Sequence, residues 1–144
     1  MKTSGNTILV SGGGSGIGLA LAQRWHDAGN TVIITGRNAA KLESAVAGRT
    51  NMHAAPLDVT EPGAIKAFAA AIVAKFPALN VLVNNAGIMG YEDATAARDL
   101  SSAEDTVVTN LLGPIRLIDA LVDHLAAQAD SAIVNVTSGL AFVQ

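Results

Sequence analysis

A glycine-rich segment between a short apolar stretch and a helical pattern constrains this chain most. Residues 7–10 read TILV, and residues 11–18 follow directly as SGGGSGIG. A strand, a glycine turn and a helix in this order leave main-chain N–H groups facing an anion, at the positive end of the helix dipole. A Gly/Ser linker is the alternative, but a linker would not be flanked by a β-branched strand and an amphipathic helix. The segment therefore predicts a turn that binds a nucleotide diphosphate.

The spacing of the glycines distinguishes this turn from three better-known motifs. The dinucleotide fingerprint G-x-G-x-x-G fails because Ile17 and Leu19 stand where its last glycine belongs. A P-loop needs Lys followed by Ser or Thr, and Leu19-Ala20 occupy those places. A nucleophile elbow around Ser15 also fails at Ile17. The pattern that fits is G-x-x-x-G-x-G, at Gly12, Gly16 and Gly18.

Strand and helix patterns alternate along the chain without a break in composition. The β-branched and apolar runs predict strands at about 7–11, 31–35, 52–57, 81–83 and 133–136. Helices are expected between them, capped by Asn38, by Thr60 and by a Ser101–Glu104 capping box, with a bend at Pro114. The prediction is one α/β domain over residues 1–144, a Rossmann-like doubly wound parallel sheet of order 3-2-1-4-5. It should be incomplete on its C-terminal side, since no further helix follows the fifth strand.

Composition argues against several classes of function. The formal net charge of −3 gives no support to nucleic-acid or membrane-surface binding. The chain has no cysteine, which excludes disulfides and thiolate metal sites, and its three histidines are isolated. No stretch approaches the ~20 apolar residues that span a bilayer. We expect a cytoplasmic protein without a bound metal.

Five motifs, in order along all 144 residues, resemble the N-terminal part of a classical short-chain dehydrogenase/reductase. They are the glycine turn at 11–18, Leu57-Asp58-Val59, Asn84-Asn85-Ala86-Gly87, Asn110 in the long helix, and Val136-Thr137-Ser138. Residues 110–114 and 138–143 also resemble a bacterial subgroup named after D-alanine esterification operons.

The resemblance implies which residues would bind a nicotinamide dinucleotide. Ser11, Gly12, Ser15, Gly16, Ile17 and Gly18 would form the turn under the diphosphate. Asp58 would hydrogen-bond the adenine amino group, with Val59 along the ring. Asn84, Ala86 and Gly87 would line the floor beneath adenine and ribose. The asparagine amides could also tie neighbouring strands together, and the two roles are compatible.

The residues after the second strand indicate which nucleotide is preferred. An NAD site needs a carboxylate there for the ribose 2′-hydroxyl, whereas a 2′-phosphate needs positive charge. The chain reads Thr35-Gly36-Arg37-Asn38, with no carboxylate, and a guanidinium can pair with a phosphate through two hydrogen bonds. We therefore expect NADP, with NAD as the alternative nucleotide.

The resemblance also implies the chemistry, a hydride transfer between nicotinamide and a carbonyl or alcohol substrate. Ser138 matches the serine that stabilises the substrate oxygen, and Asn110 matches the asparagine that holds a water of the proton relay. The family's Tyr-x-x-x-Lys pair is missing: Tyr91 is the only tyrosine, and Thr95 stands four residues later. The pair would lie beyond Gln144, so we expect the 144-residue chain alone to be inactive as a carbonyl reductase.

Two functions remain open from the sequence. The first is an NADP-dependent oxidoreductase of which this is a fragment; the second is a non-catalytic nucleotide-binding fragment, or a half-domain completed by another chain. A reading frame that continues past codon 144 into Tyr-x-x-x-Lys would support the first. The substrate and the oligomeric state are not determined, although self-association through the uncovered sheet edge is one outcome.

Overall fold

The computed structural model describes residues 1–90, 92–93 and 95–139. Five parallel strands form one sheet of order β3-β2-β1-β4-β5, which confirms the predicted order. The strands are β1 (Thr7–Ser11), β2 (Thr31–Thr35), β3 (Met52–Ala54), β4 (Leu79–Asn84) and β5 (Ala132–Asn135). The helices are α1 (Gly16–Asp27), α2 (Ala39–Val46), α3 (Pro62–Lys75), α4 (Ser101–Val107) and α5 (Gly113–Ala126), with a π-helical turn at Val108–Leu112.

Helices cover both faces of the sheet, as the doubly wound prediction requires. Leu9, Ile33 and Leu82 point to one face and pack with residues of α3 and α5. Their neighbours along the same strands, including Ile8 and Val32, point to the opposite face and join residues of α1 and α2. Burial on both faces explains why the central strands are continuously apolar instead of alternating.

The predicted N-cap at Asn38 is confirmed, and a glycine ends the first helix. The side chain of Asn38 accepts a hydrogen bond from the Lys41 N–H at 2.9 Å, as an N-cap of α2 should. Beyond α1, Gly29 adopts φ +88° and its N–H bonds to the carbonyl of His26 at 2.9 Å. The glycine therefore ends the helix by entering the left-handed region.

Two of the predicted caps are wrong. In each case a nearby aspartate accepts a hydrogen bond from the residue that was expected to cap the helix. The Thr60 hydroxyl donates to Asp58 at 2.8 Å, and Glu61 is the N-cap of α3 instead. Ser101 is already the first residue of α4, and Asp99 accepts hydrogen bonds from both its N–H and its hydroxyl. Asp and Ser side chains compete in this way wherever a turn precedes a helix.

The third strand ends at Ala54, three residues earlier than predicted. Pro56 has no N–H, so the regular ladder cannot continue through it. The chain nevertheless stays beside β2, because Ala55 N–H bonds to the Ile34 carbonyl and Leu57 N–H to the Gly36 carbonyl. This run carries Asp58 to the end of the sheet.

The long helix expected from Ser101 onward is interrupted by the π-helical turn, and α5 begins just before Pro114. None of the described helices has the length and hydropathy needed to cross a lipid bilayer. Tyr91 and residues 140–143, which the sequence analysis singled out, lie outside the described residues.

Candidate cofactor site

The glycine turn lies against the end of β4 more closely than any side chain would allow. Gly12 has φ +69°, and a Cβ atom there would lie 2.8 Å from the Ala86 Cα and 3.0 Å from its nitrogen. A Cβ atom on Gly18 would overlap the Asn85 amide nitrogen and the Gly12 carbonyl oxygen. The first and last glycines of the G-x-x-x-G-x-G spacing therefore have a steric reason in this fold.

Hydrogen bonds fix the turn to the segment after β4. The buried Ser11 hydroxyl accepts from the N–H groups of Asn85 and Ala86, each at 3.0 Å. The Asn85 side chain donates to the carbonyls of Ser11 (3.1 Å) and Gly12 (3.2 Å). Asn85 is thus a positioning residue. The sequence analysis named it as part of the Asn84–Gly87 motif but did not assign it to the site. The asparagine after a buried strand was the available signal.

A cleft of about 230 Å³ opens above the carboxyl ends of β1 and β2. Seven of the predicted cofactor residues line it: Gly12, Ser15, Arg37, Asp58, Val59, Ala86 and Gly87. Its walls also include residues that the sequence analysis did not assign to the cofactor, among them Gly14, Asn38, Lys41 and Thr109. The cleft therefore runs from the glycine turn to the loop that carries Asp58.

Two hydrogen bonds hold the Asp58 carboxyl group where it lines this cleft. Its Oδ1 atom accepts from the Thr60 N–H at 2.9 Å and from the Thr60 hydroxyl at 2.8 Å. Partial burial raises the pKa of Asp58, but these two bonds and the charge of Arg37 outweigh it and leave the pKa below its ordinary value. From α5, Arg116 donates to the Thr60 carbonyl at 3.1 Å and so braces the same loop.

Arg37 lies two residues after the end of β2, at the position that the sequence analysis singled out for the 2′-phosphate. The residue is exposed and lines the cleft, and its side chain makes no ion pair with the described residues. The Gly13 N–H bonds to the Thr35 carbonyl at 3.1 Å, which joins the glycine turn to this strand end. A guanidinium is therefore available beside the turn.

A second cleft, of about 490 Å³, lies beyond β4 and brings the two predicted catalytic residues together. Asn110 and Ser138 both line it, together with Asn84. The Asn84 amide donates to the Asn135 side chain at 2.9 Å and so ties β4 to β5. Asn84 lies in this cleft and not in the first, an arrangement that matches the strand-tying interpretation of its amide.

Asn110 uses its side chain to hold the chain after β4. Its Oδ1 atom accepts from the Ile88 N–H and its Nδ2 atom donates to the Ile88 carbonyl, both at 2.8 Å. Each amide atom has one further hydrogen-bonding position, and the Asn110 main-chain carbonyl lies within the π-helical turn. Those groups are what a water molecule could use.

Four predicted residues line neither cleft: Ser11, Gly16, Ile17 and Gly18. Ser11 and Gly18 are buried beneath the turn, whereas Ile17 is 66% exposed. Ser11 and Gly18 therefore contribute to the path of the backbone. In the described part of the chain, no three His, Asp or Glu side chains are grouped so as to hold a metal ion.

Comparison with known proteins identifies the family. The family model for short chain dehydrogenases matches residues 6–144. The chain belongs to the short-chain dehydrogenase family. Among curated relatives, the uncharacterized oxidoreductase DltE of Bacillus subtilis is 41% identical over 143 residues, covering 99% of this chain and 57% of its own. The sulfoacetaldehyde reductase of Chromohalobacter salexigens is 32% identical over 135 residues, covering 91% of this chain and 53% of its own.

A solved relative confirms the architecture of this short-chain dehydrogenase family member. The crystal structure of a short-chain dehydrogenase from Streptomyces avermitilis superposes with a TM-score of 0.85 at 33% identity. The match covers 94% of this chain and 50% of that chain. This chain therefore spans about half the length of each of these three relatives.

Proposed function

We propose that the protein is an NADP-dependent oxidoreductase that transfers hydride between nicotinamide and a carbonyl or alcohol substrate. The five-stranded sheet and its clefts would form the cofactor-binding half. The observation that carries the proposal is the cleft between the glycine turn and the Asp58 loop, with Arg37 at its rim. The family is one of oxidoreductases, and the names of the two relatives quoted above agree with that class.

The main chain fits a diphosphate at the turn. Gly16 has φ +54°, and a Cβ atom added there would have nothing within 4 Å, so the start of α1 is open on that side. Exposed N–H groups at the first turn of a helix favour an anion, and a glycine backbone lets the phosphate oxygens approach them. Gly12, Ser15 and Gly16 would hold the diphosphate in this way.

Beyond the turn, Asp58 would accept a hydrogen bond from the adenine amino group, and Val59, Ala86 and Gly87 would line the ring and ribose. Arg37 would pair with the 2′-phosphate, because no carboxylate follows β2 to receive a 2′-hydroxyl. This assignment favours NADP over NAD.

The second cleft would receive the substrate. When bound, the nicotinamide supplies or accepts the hydride. Ser138 would donate a hydrogen bond to the substrate oxygen, and Asn110 would hold a water molecule near it. The Tyr-x-x-x-Lys pair of the family has no match in this sequence, and we therefore expect NADPH turnover only where such a pair is supplied.

Titration of the purified protein with NADPH and NADH, followed by protein-to-nicotinamide fluorescence transfer or by calorimetry, tests the proposal. We expect tighter binding of NADPH. Arg37→Gln should weaken NADPH roughly tenfold, the cost of one charge-assisted phosphate contact, and leave NADH unchanged. Arg24→Gln, on the exposed side of α1 outside both clefts, is the matched control. Equal affinity for the two nucleotides would refute the NADP preference, and absence of binding to either would refute the function.

A further inference from the structure

Two cationic side chains, not one, line the cleft between the glycine turn and the end of β2. Arg37 is the residue assigned above. We infer that Lys41, on the first turn of α2, is a second specificity-determining residue for the 2′-phosphate of NADP. The inference rests on the proposed function and adds a residue that the sequence pattern did not indicate.

The structure places Lys41 beside the glycine turn. A Cβ atom added to Gly14 would lie 4.0 Å from the Lys41 Cβ, so the lysine stem runs next to the turn. The following residue, Leu42, is 1% exposed and anchors α2 in the core. The Asn38 side chain caps the Lys41 N–H, which fixes the backbone from which the lysine extends.

The order of groups in the nucleotide fits this position. The diphosphate belongs at the glycine turn and the adenine at Asp58, so the adenosine ribose lies between them. Arg37 and Lys41 line that intermediate stretch from β2 and from α2. A phosphate monoester carries about two negative charges at neutral pH, enough for two cations.

The charge of Arg37 acts on Asp58, but no group in the described residues forms a hydrogen bond or ion pair with either of these two cations. Neither side chain takes part in a hydrogen bond or salt bridge, whereas Arg49 and Arg98 are paired with Asp27 and Glu92. Asp58 is the one carboxylate that lines the cleft in the described part of the chain, and its Oδ1 atom is bonded to Thr60. A 2′-hydroxyl would leave both cations without a partner.

The inference is tested by measuring how tightly the Lys41→Gln variant binds NADPH, NADH, 2′,5′-ADP and 5′-ADP. We expect NADPH and 2′,5′-ADP to bind roughly tenfold more weakly while NADH and 5′-ADP are unchanged. Lys41→Arg should retain most of the preference. Lys66→Gln, an exposed lysine of α3 that lines neither cleft, should change nothing.

The outcomes separate this inference from the proposal beneath it. If Lys41→Gln binds NADPH normally while Arg37→Gln does not, Lys41 is a solvated lysine and the inference is overturned, yet the NADP preference stands. If Lys41→Gln weakens NADPH and NADH equally, the lysine acts on the diphosphate and the inference is also overturned. If the unsubstituted protein shows no preference for NADPH, the proposed nucleotide specificity fails first.

Discussion

Gly12 and Gly16 share a left-handed backbone, with φ +69° and φ +54°, but differ in what surrounds them. An alanine at either position bears a conformational cost of about 1–2 kcal/mol. At Gly12 the new methyl group would also meet Ala86, whereas at Gly16 it would enter open space. We expect Gly12→Ala to lower the free energy of unfolding clearly more than Gly16→Ala does, as measured by urea denaturation.

Nucleotide binding should respond differently from stability in this pair of variants. Gly16→Ala places a methyl group where the diphosphate would approach, so it should weaken NADPH binding although the protein stays folded. Gly63→Ala, which also has open space but an ordinary helical backbone, is the control that should leave binding intact. Equal stability of the Gly12 and Gly16 variants would contradict the close contact with Ala86.

Asp58 owes its lowered pKa to bonds that favour its ionised form against the opposing effect of burial. Since the pKa is lower in the folded than in the unfolded chain, the ionised carboxylate stabilises the fold above its unfolded pKa of about 3.9. That stabilisation is lost as the pH falls through the folded pKa. An NMR titration of the carboxyl carbon should therefore show a midpoint below that of an unstructured aspartate.

Thr60→Val tests the cause, because it removes the hydroxyl donor at nearly constant volume and keeps the N–H bond. The Asp58 midpoint should move upward in this variant, but the carboxyl group should stay ionised at neutral pH. A midpoint that does not move would show that the hydroxyl has no part in holding the carboxylate.

At the scale of elements, the sequence predicted what local periodicity and fixed caps determine. The central strands could be recognised because burial on both faces makes them continuously apolar. The cap of α2 could be predicted because the Asn38 side chain accepts the hydrogen bond from the Lys41 N–H. The predicted caps at Thr60 and Ser101 failed because Asp58 and Asp99 accept hydrogen bonds from them, a competition that residue preference alone does not resolve. Among the site residues, Lys41 was missed because its relevance depends on the position of α2 beside Gly14.

The π-helical turn could not be predicted from the spacing of apolar residues either. The sequence instead indicated Pro114 as the irregular point of the helix. The turn places Asn110 against Ile88 and brings Gly113 to Val59, where an added Cβ would lie 3.3 Å from the valine Cβ. The irregular turn and the first residue of α5 therefore contact the segment after β4 and the Asp58 loop, respectively. Such a contact follows from tertiary packing and not from the local sequence.

Asn110→Ala should free the segment that follows β4. Two hydrogen bonds to the Ile88 main chain would be lost, and we expect a destabilisation of about 1–3 kcal/mol. Amide hydrogen exchange at Ile88 should accelerate, while exchange in α2 should stay unchanged. Unaltered protection of the Ile88 amide would show that the Asn110 side chain does not order this segment.

On the scale of the whole molecule, one end of the sheet forms the clefts and the other end is held together by buried hydrogen bonds. The carboxyl ends of β1, β2 and β4 meet at the clefts, while the amino ends are joined by asparagines. Asn30, which is 3% exposed, accepts from the Asn6 N–H (2.9 Å) and side chain (2.7 Å) and donates to the carbonyls of Thr3 and Trp25. Asn80 continues the network to Asn6 and to the Asp130 carbonyl.

This division predicts that stability and nucleotide binding can be changed separately. Asn30→Ala would leave several buried groups unpaired, at about 1–3 kcal/mol each, and should lower the midpoint of urea unfolding strongly. Asn30→Asp keeps the volume and the acceptors but loses both donors, so it should also be destabilised. A strand of five residues separates this network from the clefts by roughly 17 Å. Both variants, measured below their unfolding transition, should therefore bind NADPH with unchanged affinity, and a tenfold loss of affinity would show that the amino ends of the strands influence the site.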